Sequence, residues 1–337
     1  MKEFRAGLVG CGLFGESHLS ALRAVPGVRV AAVYDVNREC AEALAEKYRA
    51  PVVATSLEEF LAEPIDVVHV ATPEDYHREP VVAALQAGKD VLVEKPFATS
   101  IEDCVAMAEA VRVSGRTLMV GQLLRFDPRY TVLREEVAAG RLGKIVSMSA
   151  KRGRMRGGFH MYERTHPALC NCVHDIDIML SLERSPVVRV RGFERKIHST
   201  RNPDWVMGIL EFSSGAIGQV HTNWLLPDAA GVGLDDALQI VGESGTASLA
   251  MQPAGLSIWS ERGYVAPDAG YETRMFGAAH GALLNELLYF YRCLRAGEPI
   301  AAITLNEATN TIRTALALVE SARIGRDVEL AEWSPVR

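Results

Sequence analysis

The sequence predicts an α/β, doubly wound parallel sheet followed by an α+β domain built on a largely antiparallel, open sheet. Three observations predict it. Short apolar runs alternate with helical stretches through the first 122 residues. The first run ends in a glycine triplet, Gly10-x-Gly12-x-x-Gly15. From Val146 onward the pattern changes to strands joined by short turns such as Ser213-Ser-Gly215 and Glu243-Ser-Gly245.

Element by element, Ala6–Gly10 reads as a buried strand, and Leu19, Leu22 and Val25 mark one face of the helix after the glycines. Strands follow at Val30–Asp35, Pro51–Ala54, Asp66–Ala71, Asp90–Glu94 and Thr117–Val120, all short and apolar, as strands covered on both faces must be. Helices are expected near Arg38–Tyr48, Leu57–Leu61, Tyr76–Ala87 and Ile101–Ser114. In the second half, strands are expected at Val146–Arg154, Val187–Lys196, Val206–Phe212, Ala216–Thr222, Asp236–Val241, Thr246–Ala250 and Leu256–Trp259. Two helices then flank that sheet, one striped by Leu284, Leu287, Leu288, Tyr291 and Leu294, the other by Ala308, Ile312, Ala315, Leu316 and Val319. Core packing accounts for both stripes. The change of character near Gly121–Asp127 divides the chain into domains 1–122 and 123–337, in keeping with about 150 residues per domain.

Composition narrows the function. A net charge of −6 argues against a nucleic-acid or anionic-membrane partner, which calls for excess Lys and Arg. No apolar run approaches the ~18 residues of a membrane helix. The N-terminus loosely resembles a lipoprotein export signal ending at Cys11, but its apolar stretch, Ala6–Gly10, is shorter than the ~7–15 residues such a signal needs. A cytoplasmic protein is therefore expected. The six cysteines form no C-x-x-C pair and are expected to be reduced thiols.

The glycine triplet carries specific chemistry. Gly10 permits a tight turn, Gly12 lets backbone approach a pyrophosphate, and Gly15 lets the helix pack on the strand. Free N–H groups at the helix N-terminus face that pyrophosphate. Asp35 ends the next strand twenty residues after Gly15, where a carboxylate accepts from ribose hydroxyls. Together these point to NAD, with Arg38 nearby leaving NADP possible. Ala71-Thr72-Pro73 and Glu94-Lys95-Pro96 end strands on the same edge of the sheet.

Lys95 allows two readings: a donor that stabilises an alkoxide as hydride leaves, or a solvated lysine paired with Glu94. His174 also allows two, a proton-transfer group oriented by Asp177 one turn on, or a capping histidine on a buried helix. Cys170 joins that face if the helix begins a turn earlier. His160, His166, Cys170, Cys172, His174 and Asp175 crowd one stretch, but their spacing fits no common zinc pattern, and no metal is expected. Lys151, Arg152, Arg154 and Arg156 form a basic strand, its three arginines alternating onto one face. They could clamp an anionic substrate group, though a solvated or subunit-facing surface is the favoured reading. Trp205, Trp224 and Trp259 are read as core or interface.

Assembled, these residues resemble the glucose–fructose oxidoreductase/inositol dehydrogenase (Gfo/Idh/MocA) family. The resemblance rests on Gly10-Cys-Gly-Leu-Phe-Gly15, Asp35, Ala71-Thr-Pro73 with His77, and Glu94-Lys-Pro96. It continues through Gly121 with Arg125-Phe-Asp-Pro128 and Tyr130, His174-Asp-Ile-Asp177, Asn306-Glu-Ala308, and Glu320-Ser-Ala322 with Gly325. It implies a Rossmann domain, an α+β domain whose open sheet mediates a homodimer or homotetramer, and NAD(P)-dependent oxidation or reduction of a sugar or cyclitol hydroxyl. It also implies that Gly10, Gly12, Leu13, Phe14, Gly15, Asp35, Val36 and Arg38 bind the dinucleotide. Ala71, Thr72, Pro73, His77 and Gln122 would line its cleft, Glu94 and Lys95 would lie beside the nicotinamide, and Lys95 and His174 would serve the substrate. One position departs from the family pattern: Cys170 stands where an aspartate usually precedes the histidine by four residues. A thiol cannot accept two strong hydrogen bonds as a carboxylate does. That departure keeps alternatives open: a catalytically reduced, ligand-sensing or regulatory member of the fold, or a reductase of a non-sugar carbonyl or imine.

Overall fold

The computed structural model describes residues 2–250, 258–260, 263–265, 272–275, 277–331 and 333. Its contacts divide the chain into two units, Met1–Phe126 with Tyr271–Thr309, and Asp127–Gly270 with Asn310–Arg337.

The first unit opens with β1 (Phe4–Val9), α1 (Leu13–Leu22), β2 (Val28–Tyr34), α2 (Arg38–Tyr48), β3 (Val52–Val53) and α3 (Leu57–Ala62). There follow β4 (Val67–Val70), α4 (Arg78–Gln86), β5 (Asp90–Glu94), α5 (Ile101–Ser114) and β6 (Leu118–Gly121). The strands form one sheet in the order β3-β2-β1-β4-β5-β6, all parallel. Local chemistry sets the helix starts. Asn37, Ser56 and Ser100 each cap a helix by accepting from a backbone N–H, those of Glu39, Glu59 and Asp103. The chain leaves β1 in opposite directions, to β2 on one side and β4 on the other. That reversal opens a crevice past the strand ends.

The second unit begins with α6 (Pro128–Ala138), capped by Asp127 with Pro128 in its first turn. Next come β7 (Ile145–Met155), α7 (Val173–Glu183), β8 (Val187–Arg195), β9 (Trp205–Phe212), β10 (Ile217–Leu226), β11 (Leu234–Gly242) and β12 (Gly245–Ala250). Farther along lie the short strands β13 (Ile258–Ser260) and β14 (Gly263–Val265); β15 (Glu272–Met275), β16 (Ala278–Gly281) and α8 (Ala282–Ala296) then return to the first unit, and α9 (Leu305–Ile324) passes from it into the second, followed by β17 (Val328–Glu329). The large sheet of this unit has the order β12-β11-β7-β10-β9-β8-β17, antiparallel throughout except where β10 meets β7. Burial alternates along β9: Val206, Gly208, Leu210 and Phe212 are buried, while Trp205, Met207, Ile209 and Glu211 lie half-buried on the opposite face.

One expectation differs from the structure. α8 belongs to the first unit rather than flanking the large sheet, because an apolar stripe records that a helix is covered without recording what covers it. Its Phe290 and Tyr291 are fully buried, and Tyr291 stacks on His69 of β4. Of the strand expected at 256–259, residues 256 and 257 lie outside the described residues, as does the side chain of Trp259. Trp224 is buried and Trp205 half-buried. No described helix is long and apolar enough to cross a membrane.

Candidate active site

The glycine loop is shaped by close approach. Gly10 adopts a φ of +96°, and a Cβ there would lie 2.6 Å from the Ala71 carbonyl. A Cβ at Gly15 would lie 2.0 Å from the Gly10 carbonyl oxygen, so only glycine lets α1 start this near β1. Gly12 is different: a Cβ there meets nothing within 4 Å, and no side chain caps the helix it begins. The first N–H groups of α1 are thus left without a side-chain cap, as suits a helix end that receives a pyrophosphate. Asp35 accepts from the Cys11 N–H at 2.6 Å and the Asn37 N–H at 2.7 Å, which aim its carboxylate at the loop. Each oxygen keeps a lone pair for a ribose hydroxyl. Burial and the Asp35 charge push the Cys11 thiol up to about 12, so it stays protonated. Val36 and Leu13 expose 93 % and 74 % of their surface beside this loop, apolar area available to a flat ring. Phe14 packs edge-on to His18. Arg38 is held by Glu42 at 2.6 Å, one helical turn along α2. These residues fit a dinucleotide.

The next strand ends are tied together by His77. Its buried ring meets the Thr72 carbonyl at 3.1 Å and the Pro96 carbonyl at 3.0 Å, linking the loops after β4 and β5. Burial lowers its pKa, so the neutral ring donates to one carbonyl at a time. Ala71 continues the β1 pairing by donating its N–H to Val9, and Pro73 stands exposed at the loop tip. Lys95 is half-buried and joined to Pro96 by a cis peptide bond. Buried Gln122 follows β6 and donates its N–H to the Val120 carbonyl. Glu94 accepts from the Lys95 N–H at 3.2 Å, and its carboxylate fills space that a Cβ on Gly121 would take.

In the second unit a π-helical turn, Ala168–Cys172, leads into α7, which carries His174, Asp175 and Asp177. His174 and Asp177, three residues apart, share a face of that helix and are both buried. The wide turn lets Asn171 donate to Thr222 on β10 at 3.1 Å, and it buries Cys170. Beyond Thr222 on the same strand face, Trp224 stacks with Tyr162 and packs against Phe159.

The basic strand is corrected by the structure. Arg152 is 1 % exposed, bonded at two points to Asp175 and at a third to Asp236, which also binds Arg154. Arg152 is thus neither a solvated nor a subunit-facing group. Its charge is matched inside the fold, and Arg156 falls beyond the end of β7. Alternation along a strand cannot reveal acids that arrive from α7 and β11. The crowded histidines and thiols also disperse: His166 binds Glu194, His160 binds the Gly157 carbonyl, and Asp175 binds Arg152. Among the described residues, no group of three such side chains is arranged to hold a metal ion.

One cluster escapes the sequence reading. His18, His69 and Tyr291 form a buried chain ending on Glu94, and buried Glu286 lies near enough for the Glu94 charge to act on it. The available signal was a histidine in the middle of the apolar strand β4.

Fold and site together define a dinucleotide-dependent oxidoreductase. Residues 4–122 match the Gfo/Idh/MocA oxidoreductase family with its NAD-binding Rossmann fold, and residues 130–248 match the family's C-terminal domain. The chain belongs to this family. It is 28 % identical over 342 residues to the scyllo-inositol 2-dehydrogenase (NAD(+)) of Bacillus subtilis, covering 97 % of this chain and 96 % of that one. It is 34 % identical over 256 residues to inositol 2-dehydrogenase 2 of Saccharopolyspora erythraea, 72 % of each chain. Among solved structures, scyllo-inositol dehydrogenase from Lactobacillus casei with bound NAD(H) and scyllo-inositol superposes with a TM-score of 0.85 at 18 % identity, over 98 % of this chain and 100 % of that one. That last likeness bears on the fold.

Proposed function

We propose that the protein oxidises a secondary hydroxyl of a cyclitol, or of a closely related sugar, with NAD as the oxidant. The near full-length match to a scyllo-inositol 2-dehydrogenase carries this reading. Bound NAD supplies the hydride acceptor. The chain's residues do the rest. The N-terminus of α1 and Gly10, Gly12 and Gly15 hold the pyrophosphate, and Asp35 holds the ribose, with Leu13, Phe14, Val36 and Arg38 around them. Ala71, Thr72, Pro73, His77 and Gln122 line the cofactor cleft. Lys95 donates to the reacting oxygen and stabilises its developing negative charge. His174 removes the hydroxyl proton, and Asp177 orients its ring.

Cys170 is the observation favouring a second reading, a member specialised for sensing or for a non-sugar carbonyl or imine. A panel of inositols, sugars and uronates, followed by NADH formation, separates the two. Turnover of a cyclitol supports the first reading, and NAD binding without turnover of any polyol supports the second. The half-buried face of the large sheet, with Trp205, Met207, Ile209, Phe193 and Ile217, fits a second copy of the chain. A homodimer or homotetramer is therefore proposed, to be checked by light scattering. None of the six cysteines is joined in a disulfide, which suits a cytoplasmic enzyme.

A further inference from the structure

Glu286 on α8 is fully buried, and neither of its carboxyl oxygens has a hydrogen-bond partner among the described residues. An ionised carboxylate so placed gives up its hydration for nothing, whereas the neutral acid avoids most of that penalty. Burial, and then the negative charge of Glu94, push the Glu286 carboxyl well above the usual carboxylate range.

Glu94 is supported quite differently. Its Oε1 meets His18 Nε2 at 2.9 Å, and its Oε2 accepts from the Lys95 N–H at 3.2 Å. Behind His18, Nδ1 meets His69 Nδ1 at 3.1 Å, and His69 Nε2 meets the Tyr291 hydroxyl at 2.9 Å. One proton order satisfies all these contacts with a single charged member. Tyr291 donates to His69, His69 donates to His18, and His18 donates to an ionised Glu94. Burial and the neighbouring His18 hold His69 well below the usual imidazole range, in keeping with a neutral ring in mid-chain.

We propose that Glu94 and Glu286 form a buried acid pair holding one proton and one negative charge, the charge on Glu94 and the proton on Glu286. This fixed charge favours the oxidised nicotinamide, which is cationic, over the reduced one. The second statement rests on the reading that the nicotinamide lies beside Glu94 and Lys95. Glu94 and Glu286 act as positioning residues for charge, with no bond to the reacting atoms.

The test has two readouts. Infrared spectra of the cofactor-free protein at neutral pH, where ordinary carboxyls are ionised, should contain a protonated-carboxyl band that Glu286→Gln removes. Because the band is first read on the unaltered protein, it remains informative if the variant fails to fold. Dissociation constants for NAD⁺ and NADH should then shift about tenfold towards NADH in Glu94→Gln, the order expected for one charge acting through a protein interior. Glu286→Gln, neutral like the acid it replaces, should keep the unaltered ratio. Absence of the band overturns the acid pair, and so does a Glu286→Gln ratio shifted as far as that of Glu94→Gln. If the reading of the β5 edge is what fails, the band survives, the ratio in Glu94→Gln does not move, and Lys95→Ala leaves turnover intact. That result overturns the role towards the cofactor.

Discussion

Arg152 on β7 and Asp175 on α7 meet at two points, Nε to Oδ2 at 2.8 Å and Nη2 to Oδ1 at 2.9 Å, in the interior of the second unit. The fork matches the carboxylate plane, and its third nitrogen reaches Asp236 at 2.9 Å. Asp175 directly follows His174, so this clamp sets the rotation of α7 and the direction in which the histidine projects. Arg152→Ala strands the buried Asp175 carboxylate and leaves Asp236 to Arg154 alone, and should lower stability by about 3–5 kcal/mol, measured by urea unfolding. Arg152→Lys restores charge but not the fork and should recover only part of the loss.

Asp35 should make NAD preferred over NADP, because a 2′-phosphate would meet its carboxylate. Arg38, already paired with Glu42, offers limited compensation. Asp35→Ser should move the ratio of kcat/KM values towards NADP. An unaltered protein with equal efficiency on both cofactors would contradict this assignment.

Lys95→Ala should lower turnover about 10²–10³-fold with NAD affinity nearly unchanged, the consequence of losing one donor to the developing oxyanion. Saturating this variant with cofactor distinguishes the roles. Recovery of full turnover would make Lys95 a cofactor contact instead.

His174→Ala should reduce oxidation about 10²–10⁴-fold, the usual range for a general base. Cys170→Ser should lose little, and Cys170→Asp should raise sugar or cyclitol oxidation by giving the site the carboxylate it lacks. The check is a pH–rate profile for each variant on a substrate found in the panel. A Cys170→Ser protein as inactive as His174→Ala would bring the thiol into the chemistry.

His69 should make the fold acid-sensitive near neutrality. Its folded pKa lies well below the ordinary value because of burial and then His18, so the unfolded chain binds a proton that the native ring refuses. Above the unfolded pKa, about 6.5, the group contributes no pH dependence; below it, native stability falls until the folded pKa is reached. His69→Gln removes this component, so the gap in denaturant midpoint between the unaltered protein and the variant should change in the variant's favour as pH falls from about 7 to about 5.

The parallel sheet was legible because its strands are brief apolar runs alternating with helical stretches, and because the glycine triplet is contiguous. The candidate site was legible wherever a motif is contiguous, as in Glu94-Lys95-Pro96 and His174-Asp-Ile-Asp177. Contacts distant in sequence were not. Asp236 reaches Arg152 from 84 residues away, and Tyr291 reaches His69 from 222. A basic strand therefore read as surface, and a mid-strand histidine read as nothing in particular. The helix bearing Glu286 announces its buried stripe, but an acid within it looks the same whether it faces water or lies buried without a partner.

The return of Tyr271–Thr309 to the first unit bears on how the protein is made. During translation the nucleotide-binding sheet emerges first, yet Phe290 and Tyr291, which finish its interior beside Phe4 and His69, leave the ribosome only after most of the second unit. The early portion must wait with apolar surface uncovered, a state prone to aggregation and to chaperone capture. Cutting the gene after Phe126 would yield that waiting intermediate rather than a free-standing NAD-binding module.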